Sequence, residues 1–128
     1  MFQSFLFRLL GATMNIDWSR IESLVDINDP DDLAWLKDMI ISLLENMTVR
    51  IQNMENFMQT KEQKDLQSEL HQIKGVAANF GLSALSKIVI DAEAKAKAGE
   101  IDASIELSKQ ISPIWDVTKK ELQTRFGS

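Results

Sequence analysis

The sequence predicts an all-α protein, an up-down-up-down antiparallel four-helix bundle preceded by a short extra helix. Apolar residues at Leu33, Leu36, Ile40, Leu43, Met47, Ile51, Met54 and Met58 recur at spacings of three and four, the period of one long amphipathic helix. Leu66, Leu70, Ile73, Ala77 and Phe80 repeat the pattern in a second stretch, and the connections between such stretches are short, which makes neighbouring helices antiparallel. No strand-like alternation, glycine-rich phosphate loop or internal repeat competes with this reading.

Residues 1–13 read as an apolar N-terminal extension and residues 14–126 as the bundle. In the extension Phe2, Phe5, Leu6, Leu9 and Leu10 fit one helical face, but Arg8 interrupts the apolar stretch where a signal peptide would place its charge before it. Three readings stay open: a helix packed on the bundle, a self-association or membrane-surface patch, or an upstream extension with the natural start at Met14. Asp17 or Ser19 caps a short helix carrying Trp18, Ile21, Leu24 and Val25, which ends near Asp26. In DINDPDD, Asp29 is an N-cap, Pro30 takes the first helical position, and Asp31 and Asp32 face the positive end of the helix dipole. Methionines 39, 47, 54 and 58 lie at helical spacing and read as core filler rather than as a Met-rich groove.

A break around Thr60 to Gln63 separates the long helix from the next, which ends at Gly81, a residue suited to left-handed backbone. Ser83 is then expected to cap a helix with Leu82, Leu85, Ile88, Val89, Ala92 and Ala96 inward, closing at Gly99 after Lys95 and Lys97. Asp102 opens the last helix, with Ile105, Ile111, Ile114 or Trp115, Thr118 and Leu122 inward and Pro113 bending it.

Composition excludes several functions. The 19 acidic against 14 basic residues leave a net charge of −5, unsuited to a nucleic-acid backbone. Without cysteine there are no disulfides and no thiolate metal sites. No apolar run reaches the roughly 18 to 20 residues that span a bilayer, so a cytoplasmic location without a transmembrane segment is expected.

The chemistry concentrates on one helical face. Opposite the Leu66 to Phe80 stripe lie Lys64, Gln67, Ser68, His71, Lys74, Gly75 and Ala78, so His71 points at water. A glycine inside an exposed helix costs roughly 1 kcal/mol relative to alanine, yet Gly75 sits one turn after His71, with Ala78 one turn further. The helix is bare beside the sequence's one histidine, as a close-approaching macromolecule would require. A neutral imidazole is a nucleophile toward phosphorus. Lys74 adds positive charge for the spread-out transition state of phosphoryl transfer.

His71, Lys74, Gly75 and Gly81 read H-x-x-K-G-x-x-x-x-x-G, which resembles the active-site helix of the histidine-containing phosphotransfer (HPt) domains of bacterial-type phosphorelays. The resemblance covers roughly Asn15 to Phe126. It implies a phosphorelay intermediate that accepts a phosphoryl group on Nε2 of His71 from a receiver-domain aspartate and passes it to another receiver. Lys74 then stabilises phosphoryl charge, while Gly75, Ala78, Gln67, Ser68 and Lys64 form the receiver-docking face. The implied partners are response-regulator receiver domains or a hybrid histidine kinase, met by a monomeric carrier. Relatives often orient the ring with a polar side chain from a neighbouring helix, and no sequence argument selects it here. Val76 stands where relatives often carry a small or hydroxylated residue.

No nucleotide-binding motif is present, so the chain is expected to be a carrier and not a kinase, with no cofactor of its own and Mg²⁺ on the partner receiver. A di-iron bundle would need Glu-x-x-His pairs, and Ser68 stands where that glutamate would be. The rival function is an adaptor or inhibitor bundle that binds a receiver or kinase without accepting phosphate.

Overall fold

A computed structural model describes residues 15–126, in which six helices follow one another: α1 (Trp18–Glu22), α2 (Pro30–Thr60), α3 (Gln63–Asn79), α4 (Ser83–Lys97), α5 (Ile101–Ser108) and α6 (Ile111–Phe126). The anticipated antiparallel bundle is formed by α2, α3, α4 and the α5–α6 pair, with α1 as the short extra helix. The N-terminal extension lies outside the described residues, and with it the choice among its three readings.

The ends of α2 and α3 follow from local chemistry. The Asp29 carboxylate accepts the Asp31 amide at 2.9 Å, and Pro30 occupies the first turn, where an N–H has no helical partner anyway. Lys61 in left-handed conformation ends α2 and lets the chain reverse directly into α3. At the far end of α3, Gly81 at φ 68° directs the Leu82 amide back to the Ala77 carbonyl (2.8 Å) and its own amide toward that of Ala78 (3.4 Å). The start of α3 meets the end of α4 through the Gln63 side-chain amide, which donates to the Ala96 carbonyl at 2.9 Å. Adjacent helices therefore run in opposite directions.

One core joins the helices. Leu36, Ile40, Met47 and Met54 of α2 meet Leu66, Leu70, Ile73 and Ala77 of α3, Leu85, Val89, Ala92 and Ala96 of α4, and Ile111, Trp115 and Leu122 of α6. Burying a leucine or isoleucine stabilises by about 1.5–3 kcal/mol, several times any difference in helix propensity, so packing of these faces holds the bundle. Met39 and Met58 pack partly buried against the same core. All four methionines are filler, as their spacing suggests.

Three local expectations are corrected. The short helix ends at Glu22, not near Asp26, because the Ser23 hydroxyl closes it on the Arg20 carbonyl (2.6 Å); Leu24 and Val25 follow half-buried outside it. Ser83 does not cap α4; Leu82 holds that position, fully buried, while the Ser83 hydroxyl turns back to the Gly81 carbonyl at 3.3 Å. The last helix is two. The break at Lys109 and Gln110 puts Pro113 in the first turn of α6, where its missing N–H is harmless and no bend is needed. α5 turns Ser104 and Ser108, not Ile105, fully inward, and the Ser104 hydroxyl donates to the Ala92 carbonyl of α4 at 2.7 Å.

At one end of the bundle, α1 closes over the tips of α3 and α6. Arg20 donates through Nε to the Asn79 carbonyl (3.0 Å), and the Trp18 and Phe126 rings lie 6.0 Å apart, tilted by 53°. Arg125 stacks over Trp18 at 4.5 Å while bonding Glu22 at 2.5 Å. Among the described residues no helix is long and apolar enough to cross a membrane.

Candidate functional site

With Leu66, Leu70, Ile73 and Ala77 of α3 fully buried, the helical period turns His71 outward, and its side chain is 62% exposed. Across the groove, α4 presents Glu93, a carboxylate 4% exposed among inward alanines. His71 Nδ1 lies 2.7 Å from Glu93 Oε2, and the Lys74 ammonium donates to Oε1 of the same carboxylate. One buried anion thus joins both sequence-selected groups.

Burial penalises the charge on Glu93. The hydrogen bonds from Lys74 and His71, reinforced by the charges of these two groups, outweigh that penalty and hold its carboxyl below the usual carboxylate range. An ionised carboxylate only accepts, so Nδ1 carries the hydrogen. In the neutral ring the lone pair then resides on Nε2, which has no hydrogen-bond partner among the described residues. This fixes both the orientation and the tautomer of the imidazole. A buried carboxylate with only one of its oxygens satisfied would cost several kcal/mol, so the three groups stand as a unit.

Lys64, Gln67, Ser68, His71, Glu93 and Lys97 line a groove between α3 and α4. Of the expected docking residues, Lys64, Gln67 and Ser68 therefore flank His71 directly. Gly75 and Ala78 are exposed one and two turns beyond it on the same helix. A Cβ built on Gly75 would touch nothing within 4 Å, so no contact among the described residues calls for glycine there. Lys74, 31% exposed, lies along the surface toward Glu93.

Glu93 and Lys97 escaped the sequence reading. A signal for Glu93 existed in its place on the buried edge of α4, four residues after Val89 and three before Ala96, where a charge requires a partner. Val76 packs partly buried against the core and contributes no ring support; Glu93 supplies it from the facing helix. Among the described residues no three acidic, histidine or cysteine groups converge as a metal site.

The Hpt domain family matches residues 38–124, which contain α3, α4 and every groove residue. The fold is that of the crystal structure of histidine-containing phosphotransfer protein B (HptB) from Pseudomonas aeruginosa PAO1, with a TM-score of 0.78 at 17% sequence identity, covering 88% of this chain and 94% of that one. No curated protein matches the sequence significantly. With the family match spanning most of the bundle and centred on the groove, the chain belongs to the Hpt domain family and is a histidine phosphotransfer intermediate of phosphorelays.

Proposed function

We propose that His71 is the phosphoacceptor, that its Nε2 takes the phosphoryl group from a receiver aspartate, and that the group leaves to a second receiver from the same atom. The observation that carries this is the Glu93 to Nδ1 hydrogen bond, which leaves the Nε2 lone pair as the free nucleophile on a mostly exposed ring. His71 is also the one histidine in the sequence. In uptake the lone pair forms the N–P bond as the P–O bond to the aspartate breaks, and the aspartate departs as carboxylate. The hydrogen stays on Nδ1, donated to Glu93.

Lys74 in this reading neutralises Glu93, so that a dianionic phosphoryl group does not approach a bare carboxylate. Lys64, Gln67, Ser68, Gly75 and Ala78 receive the partner, with Lys97 added from α4. Gly75 lets the receiver backbone come close to α3. Both oxygens of Glu93, the carboxylate bonded to His71, are already taken, which supports Mg²⁺ being held by the receiver and not by this chain. The protein acts as a cytoplasmic, monomeric carrier without kinase activity of its own.

Incubation with a phosphorylated receiver tests the assignment. Wild type is expected to gain an acid-labile, base-stable phosphoryl group and His71→Gln none; equal labelling of the variant would move the site elsewhere. Lys74→Ala is expected to slow uptake more than it weakens binding, read as separate rate and affinity measurements.

A further inference from the structure

The site holds one carboxylate between two donors, and the two donors do not sit alike relative to the reacting atom. Lys74 is bonded to the same group that holds Nδ1, whereas a phosphoryl group on Nε2 lies on the far side of the imidazole ring. An ammonium that turned from Glu93 to grip phosphoryl oxygens would strip a side chain 4% exposed of its nearest cation. Unpairing a buried carboxylate is far more costly than exchanging partners at an exposed one.

We propose that Glu93 is a positioning residue for Lys74, restraining it from the stored phosphoryl group and so keeping that group transferable. This rests on His71 as the phosphoacceptor. A carrier has to release what it accepts, and an ammonium bound to the phosphohistidine oxygens would stabilise the loaded ground state without equal benefit to the transition state. Such a contact lengthens the life of the intermediate and slows its onward transfer. The Glu93 carboxylate offers Lys74 a closer anion of fixed geometry, so the lysine is spent on neutralising the site and not on retaining the cargo.

The balance of the step that reads this out is simple. Water attacks phosphorus, the N–P bond breaks, its electron pair returns to Nε2, and inorganic phosphate leaves with a proton lost to solvent. Its rate reports how firmly the loaded state is held.

The full chain is loaded with potassium phosphoramidate, and the half-life of the phosphohistidine is followed by phosphorus NMR and intact mass in wild type, Lys74→Ala, Glu93→Gln and the double variant. Glu93→Gln keeps the side-chain volume and frees Lys74; its half-life is expected to rise about tenfold, the worth of one charge-assisted hydrogen bond. The double variant is expected to lose that gain, since no ammonium is left to hold the phosphoryl group. A Glu93→Gln half-life equal to or shorter than wild type, or a gain that survives in the double variant, would overturn the proposal. Should Glu93→Gln fail to fold, Glu93→Asp, which draws the carboxylate back from Lys74, is expected to lengthen the half-life as well, and an unchanged or shorter half-life there would also overturn the proposal. Loss of His71 as the loaded residue is read separately, from phosphate on His71→Gln, and would sink the phosphoacceptor assignment instead.

Discussion

The Asp17 amide donates to the Gly81 carbonyl at 2.7 Å, so the residue that ends the His71 helix also seats α1. Gly81 meets two demands there. Its φ of 68° is left-handed, and a Cβ would come within 2.8 Å of both the Asp17 carbonyl oxygen and Arg20 Cβ. Gly99 shares the left-handed backbone at φ 81°, but its Cβ would find only the tip of Gln63, at 3.9 Å.

Gly99→Ala is accordingly expected to cost about 1–2 kcal/mol, the left-handed penalty alone. Gly81→Ala should cost at least about 1 kcal/mol more, because backbone and the stem of Arg20 have to shift. Urea unfolding of the two variants checks this; equal losses would mean that the α1 seat yields freely.

His71→Gln is expected to leave stability within about 0.5 kcal/mol of wild type, since the ring is mostly exposed and the glutamine amide can still donate toward Glu93. A large fall in melting temperature would show that the imidazole carries structural weight.

Gly75→Ala is expected to stabilise the protein by about 1 kcal/mol, because the site is helical, exposed and open around the new methyl. Gly75→Gln should retain the fold while weakening receiver binding at least tenfold, measured by titration calorimetry. Undiminished affinity would detach the bare patch from docking.

Glu93 makes stability depend on acid. Its folded carboxyl is held below the usual range, so the unfolded chain binds the proton more readily. The stabilisation is complete above the ordinary carboxylate pKa and drains away as pH falls through the depressed folded value. Melting temperatures of wild type and Glu93→Gln, followed from neutral pH into acid, are expected to converge below that range. A constant gap would remove Glu93 from the acid limb.

Much of this was legible because helices are local. The seam of α2 is a repeat along the chain, and its start is announced by Asp29 and Pro30 within one turn. His71 could be placed outward from its position relative to Leu70 and Ile73 alone. The division of the last helix was misread because Pro113 signals an interruption in a helix interior and a start in a first turn, and composition does not say which applies. Ser83 was misread as a cap because Leu82, buried by contacts from other helices, had already taken that place.

What the sequence by itself determined is the all-α bundle, the long helix, the outward histidine and the bare helical face beside it, since each depends on periods and signals within a few residues. Only the tertiary structure decided that Glu93 holds the ring, that Lys74 pairs with that same carboxylate, and that Lys97 joins the groove. Those relationships cross from α3 to α4, 19 to 22 residues apart in the chain for the two bonds of Glu93, and the register between two packed helices is set by how their buried side chains interlock.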